Sequence, residues 1–280
     1  MAIACATAGR INGHNLELWR CVGCGGPLTE AVDALACGAC GRWYPVRDGV
    51  VVVNEQLADS NLIVREFYDS PLWPKFRFWE WFTFLCNGGE RRSRDKILRH
   101  LPTAPHLKLL DVAVGDGVYL DWLPRDWEVV GVDISTTQLA ACRQREAGRD
   151  IPLALGEAED LPFRDDTFDC ALSIGGFNYF NDPERALREM VRVVRPGGTI
   201  VVADEVPNLT DRMAFRHIGL PGVDHWILSR LMHLGDAFTD LVERKRDLDI
   251  AAIGRRVLTE SRFELVWLGV GYVLVGRVPG

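Results

Sequence analysis

The sequence predicts an α/β protein built on a doubly wound parallel sheet, preceded by a small cysteine-rich ribbon. From residue 107 onward, short apolar runs of strand length alternate with amphipathic runs of helical period, the order that a parallel sheet with crossover helices requires. Before residue 60 no helical period appears, and four of the eight cysteines stand in two tight CxxC pairs. The size agrees: 280 residues, 48% hydrophobic and 25% charged, suffice for one full α/β core and a small appendage.

Cys21-Val-Gly-Cys24 and Cys37-Gly-Ala-Cys40 are separated by 12 residues. Each turn directs two thiolates at one ion, and two such turns on facing hairpins make a tetrahedral Cys₄ site. Cys21, Cys24, Cys37 and Cys40 are therefore the expected zinc ligands. With every position taken by protein, the metal is structural. Residues 16–60 are read as zinc ribbon and linker, with short β-prone pieces at 18–20, 35–37 and 43–46, and residues 1–15 as a disordered N-terminus. The first residues have no basic stretch and no apolar run long enough for a signal or a membrane span, so a cytoplasmic protein is expected. A net charge of −7 and a pI near 5.4 weigh against a nucleic-acid partner, which would need clustered Lys and Arg.

After the linker, residues 63–84 form an aromatic-rich stretch whose spacing predicts one or two helices. A strand follows at 107–114, a helix opens over 118–123, and a second strand covers 128–132. Ser135 is placed to cap a helix over 136–147. Strands at 152–155 and 168–174 lead to an amphipathic helix at 183–194, closed by Arg195-Pro196-Gly197-Gly198. A fifth strand is expected at 199–204, a polar and partly helical segment at 208–245, and a helix at 248–260. Two last strands, 263–270 and 272–278, would form a hairpin at Gly271.

The chemistry gathers at the strand ends. Asp111 closes the first of these strands before a turn rich in small residues, Ala113-Val-Gly115-Asp-Gly117, and ligands of open α/β sheets bind at that edge. Asp133 closes the next strand 22 residues later, near the interval at which a carboxylate reaches ribose hydroxyls. A purely structural alternative has Asp133 capping the following helix together with Ser135. A dehydrogenase is disfavoured because the first turn is not G-x-G-x-x-G.

Taken together, Asp111-x-Ala113-x-Gly115-Asp116-Gly117, Gly131-x-Asp133, Gly156-Glu157-Ala158-Glu159-Asp160-Leu161-Pro162-Phe163, Phe168-Asp169 and the run from Ala186 to Gly198 form an ordered set. The set resembles the class I S-adenosylmethionine-dependent methyltransferases, in particular their ubiquinone/menaquinone-biosynthesis-like branch. The resemblance implies a Rossmann-like sheet of seven strands over 61–280, with a substrate lid near 205–247. It places Asp111, Ala113, Gly115 and Gly117 beside the methionine portion of the cofactor and Asp133 at the ribose, with Ile134 beside it. Glu157 and Ala158 fall near the adenine, and Tyr68 among the helices that cover the cofactor. Two positions depart from the pattern. Ala113 replaces a commoner glycine, with no positive φ expected if the turn begins later, and Glu157 stands where a shorter aspartate is usual.

A zinc knuckle ahead of such a domain also resembles the bacterial large-subunit ribosomal RNA guanine-N1 methyltransferases. Residues 1–60, however, carry a net charge of −2, whereas an RNA-docking ribbon is expected to be basic. The expected function is therefore methyl transfer to a hydrophobic or aromatic small-molecule acceptor through oxygen, carbon or nitrogen. Ribosomal RNA guanine-N methylation and a non-methylating cofactor-binding protein are the alternatives. On the acceptor side, Tyr179 is a candidate hydrogen-bonding group, and His217 and His225 in the lid segment are candidate general bases.

Overall fold

The computed structural model describes residues 13–280. The stretch expected to be disordered lies outside them as far as residue 12, and a 3-10 turn occupies Gly13–Leu18. Two hairpins follow: β1 (Leu28–Ala31) with β2 (Ala34–Cys37), and β3 (Trp43–Arg47) with β4 (Val50–Val52). The aromatic segment folds as α1 (Asp59–Tyr68) and α2 (Trp73–Cys86), with Pro74 in the first turn of α2, where a missing N–H costs nothing. A further helix, α3 (Glu90–Leu98), was not expected.

The alternating part begins with β5 (Lys108–Val112), β6 (Glu128–Asp133), α4 (Thr136–Arg145) and β7 (Leu153–Leu155). Ser135 caps α4 as predicted, its Oγ accepting from the Gln138 amide at 3.0 Å. The helix expected at 118–123 is only a 3-10 turn, Leu120–Trp122, because Pro124 disfavours helical geometry in the residue before it. Next come β8 (Phe168–Ile174), α5 (Pro183–Val193) and β9 (Val194–Glu205). The segment expected to form a lid is broken into α6 (Ala214–His217), α7 (Pro221–Trp226) and α8 (Asp236–Lys245). The chain finishes with α9 (Ile250–Val257), β10 (Thr259–Val266) and β11 (Gly271–Arg277). The last two strands pair antiparallel, but a 3-10 turn at Trp267–Gly269 joins them in place of a tight turn at Gly271.

All strands belong to one sheet of eleven, ordered β1-β2-β3-β4-β7-β6-β5-β8-β9-β11-β10. Seven of these, β7-β6-β5-β8-β9-β11-β10, come from residues 61–280, and the four ribbon strands extend the sheet to eleven. β4 lies parallel to β7, Val50 to Val52 against Leu153 to Leu155, so the ribbon continues the sheet and covers an edge that would otherwise be unpaired. Side chains alternate across the sheet as the pleat requires. Leu110, Val112, Val130, Ala171 and Val202 enter one core with α5, α9 and the ribbon residues Trp19, Leu35 and Tyr44. Leu109, Val129, Leu172, Val201 and Ala203 enter the other. A third cluster, in which Val64 and Phe67 of α1 meet Phe238, Leu241 and Val242 of α8, lies over the strand ends.

Candidate active site and zinc ribbon

The carboxyl ends of β5, β6 and β8 open into a cleft lined by Asp111, Ala113, Gly115, Asp133, Ile134, Ala158, Gly175 and Tyr179, with Tyr68 closing it from α1. Asp133 is fixed from two sides, Oδ2 accepting from the Gly115 amide and Oδ1 from the Ser135 amide, each at 2.9 Å. Burial pushes its carboxyl up to about 6, against the pull of those amides. Asp111 is buried beside it, and among the described residues no donor reaches its side chain. Burial, with the charge of Asp133, pushes the Asp111 carboxyl up to about 8. A buried acid without a protein donor, facing an open cleft, fits the ammonium group of a bound amino-acid portion.

The turn between β5 and this cleft differs from expectation at Ala113, whose φ is +63°. The left-handed turn therefore starts at the alanine and not after it. It continues through Gly115 and Gly117, and at Gly117 a Cβ would stand 2.8 Å from Cys142 Sγ. Gly117 does not line the cleft, and neither does Glu157. The Glu157 carboxylate is taken up by Asn54 Nδ2 at 2.6 Å and Asn61 Nδ2 at 2.8 Å. Asn54 and Asn61 are contributions that motif reading misses, because they come from the linker and α1, about a hundred residues away in sequence. Asp116, also on the cleft wall, pairs with Arg77 at 2.7 Å and Arg145 at 3.1 Å, and these guanidiniums outweigh burial to hold its carboxyl below the usual range.

Beyond the cleft a second cavity continues between α1, α2 and the segment after β9. The two share Tyr68, Trp73, Glu80, Tyr119, Ile174, Gly175 and Tyr179. Its further walls are largely apolar and aromatic, among them Phe67, Phe76, Trp79, Phe238 and Trp267, with the acids Asp204 and Glu205 also lining it. Tyr68 donates to the Gly175 carbonyl at 2.8 Å, and the Tyr179 hydroxyl donates to Glu205 Oε1. His217 and His225 line neither cavity: His217 is exposed on α6, and His225 Nε2 meets Asp240 Oδ1 at 3.0 Å on the surface.

In the ribbon, one sulfur each from Cys21, Cys24, Cys37 and Cys40 converge within 4.8 Å of one another. Burial would raise the Cys21 thiol, but the Tyr44 hydroxyl at 3.0 Å and the Gly23 amide outweigh it and bring it down to about 6. A preformed set of four thiols with a stabilised thiolate matches tetrahedral zinc. Trp19 packs on Phe163 with ring centroids 5.2 Å apart, and the Arg20 amide donates to the Pro162 carbonyl at 2.9 Å, anchoring the ribbon to the loop after β7.

Residues 110–202 match the family described as a methyltransferase domain, and residues 16–49 match the family of Trm112p-like proteins. The chain is thus similar to a methyltransferase domain over 110–202 and to a Trm112p-like ribbon ahead of it. The domain implies S-adenosylmethionine as cofactor, and the four-cysteine cluster suits zinc. A demethylmenaquinone methyltransferase of Corynebacterium kroppenstedtii is 37% identical over 44% of this chain and 52% of its own length. Methyltransferase GfsG of Streptomyces halstedii is 35% identical over 44% of this chain and 46% of its own. The chain thus spans about half the length of these curated relatives. Among solved structures, a possible exported protein from Bordetella parapertussis has a TM-score of 0.50 at 18% identity, covering 79% of this chain and 87% of its own, a likeness of fold. Among the described residues, no helix is long and apolar enough to cross a membrane.

Proposed function

We propose that the chain transfers a methyl group from S-adenosylmethionine to a hydrophobic or aromatic small molecule. The observation that carries this reading is the junction of the two cavities: a polar cleft with two buried carboxyls runs into an aromatic cavity, and Tyr68, Gly175 and Tyr179 stand at the join. When bound, the cofactor supplies an electrophilic methyl on a sulfonium. Asp111 holds the amino-acid end, Asp133 the ribose hydroxyls, and Ala158 with Ile134 the adenine side. Gly115 and the turn around it bring backbone close to the ligand. Tyr179 is positioned to orient the acceptor, and the rings around it exclude water. Held by these residues, the cofactor would supply its methyl for in-line attack by the acceptor atom. A proton left on the acceptor is handled by groups within the cavity, since the two lid histidines stand outside it.

Calorimetry tests the cofactor half. S-adenosylhomocysteine is expected to bind one per chain, and Asp133→Ala to weaken it at least tenfold, as loss of a charge-assisted ribose contact implies. Absence of binding would overturn the reading. Labelled methyl transfer to a small-molecule extract and not to total RNA is expected; transfer to RNA alone would favour the ribosomal alternative.

A further inference from the structure

The acceptor cavity has aromatic walls, an acidic end and no basic side chain. Glu80, Asp204 and Glu205 line it, and among the described residues no Lys, Arg or His does. The acidic end is built, not accidental. Asp204 and Glu205 finish β9, and Asp204 Oδ2 accepts from the Asn178 amide at 3.1 Å while Oδ1 accepts from the Glu205 amide at 2.9 Å. Asn178 in turn donates to the Glu205 carbonyl at 2.6 Å and accepts from the Tyr272 hydroxyl at 2.9 Å. The Glu205 carboxylate is held through Oε1 by Tyr179, and Oε2 has no partner among the described residues. Burial and the neighbouring Glu205 push the Asp204 carboxyl well above the usual range.

An anionic acceptor would meet only like charge here, and a neutral one would leave Glu205 facing apolar rings. A cation resolves both conditions, because ring faces and a carboxylate each attract it. Resting on the methyltransferase reading above, we infer that the acceptor is a hydrophobic amine, bound as its ammonium with Glu205 as partner and methylated on nitrogen. The step balances simply. One N–H proton passes to the Glu205 carboxylate, freeing the nitrogen lone pair, and the new N–CH₃ bond forms as the S–CH₃ bond breaks. The product nitrogen takes up the positive charge that the sulfonium loses. Tyr179, bonded to Glu205, positions that carboxylate.

Competitive pairs of probes test this. Binding of phenethylamine, 2-phenylethanol and phenylacetate to the full chain saturated with S-adenosylhomocysteine is measured by calorimetry. The amine is expected to bind at least about tenfold more tightly than the isosteric alcohol, with no binding of the carboxylate. Glu205→Gln is expected to bring amine and alcohol within about twofold of each other, and S-adenosylhomocysteine binding by that variant checks its folding. Wild-type protein that binds S-adenosylhomocysteine but shows no preference for the amine, binding of neither probe included, overturns the inference and leaves the methyltransferase reading standing. Failure to bind S-adenosylhomocysteine overturns both. If Glu205→Gln does not fold, Tyr179→Phe is measured in its place, and an undiminished amine preference in a folded variant of either kind also overturns the assignment.

Discussion

The Asn54 side-chain amide donates to Glu157 Oε2 at 2.6 Å, and this contact joins the zinc ribbon to the rim of the cofactor cleft. Asn54 stands two residues after the end of β4, and the amides of Val53 and Asn54 both donate to the Leu155 carbonyl at the end of β7. Glu157 is next to Ala158, which lines the cleft. One strand and one side chain thus link the ribbon to the wall of the cleft at Ala158, the side proposed above for the adenine. Asn54→Ala is expected to weaken S-adenosylhomocysteine binding about threefold to tenfold, in keeping with the loss of one hydrogen bond to a carboxylate. An unchanged Kd in calorimetry would show that ribbon and cleft act independently.

Metal removal should act on the same connection at larger scale. The strands β1, β2 and β3 are four or five residues each, too short to hold two hairpins without the ion that the four sulfurs gather. One zinc per chain is expected by native mass spectrometry. Stripping it with a chelator, or replacing Cys37 by Ser, is expected to lower the Tm by several degrees and to loosen cofactor binding with it. A melting curve indifferent to the chelator would mean that packing of Trp19 and Tyr44 suffices.

Ala113 carries a strained backbone in the cofactor turn, with φ at +63°. The conformation is imposed from outside: the Ala113 and Val114 amides both donate to the Val132 carbonyl, at 2.8 and 3.1 Å. A left-handed alanine costs about 1–2 kcal/mol, while glycine adds unfolded-chain entropy of about 0.4–1 kcal/mol. Ala113→Gly is therefore expected to stabilise the fold by roughly 0.5–1 kcal/mol in chemical denaturation. A destabilised variant would show that the Cβ packs usefully, most directly against Gly176.

These cases mark where the sequence was legible. Hydrophobic period and capping residues placed β5, β6, β8, α4 and α5 because each is a local property of the chain. The strand-end acids followed from topology, since a parallel sheet brings its carboxyl ends together. Continuity of the ribbon with the main sheet was not legible, because pairing between β4 and β7 joins segments about a hundred residues apart and leaves no periodic trace. The same distance hid Asn54 and Asn61. α3 was missed because Glu90-Arg-Arg-Ser-Arg-Asp-Lys is highly charged, and only burial of Ser93, Arg94 and Ile97 against the fold makes it a helix. Residue type and lid position put His217 and His225 forward, whereas the acids that do line the acceptor cavity, Asp204 and Glu205, fall at the end of an apolar strand without a motif.

The two strand-end acids make stability and ligand binding respond to pH in opposite ways. Asp111 is pushed from its usual 3.8 up to about 8 and Asp133 up to about 6, both chiefly by burial. A folded-state value above the unfolded one means that the cofactor-free fold keeps a proton the unfolded chain gives up. That stability is fully present below about pH 4 and is lost as pH rises through 6 and then 8. Asp111→Asn keeps the shape and removes the titration. The cofactor-free variant is expected to melt several degrees above wild type at pH 8, with the difference closing towards pH 4. The same variant is expected to bind S-adenosylhomocysteine at least tenfold more weakly at pH 8, because an amide carries no charge for the ligand's ammonium. A more stable protein that binds worse is the mark of an acid kept for its ligand. If Asp111→Asn instead melts lower at pH 8, the carboxyl is holding the fold together, and its place in the cofactor site has to be given up.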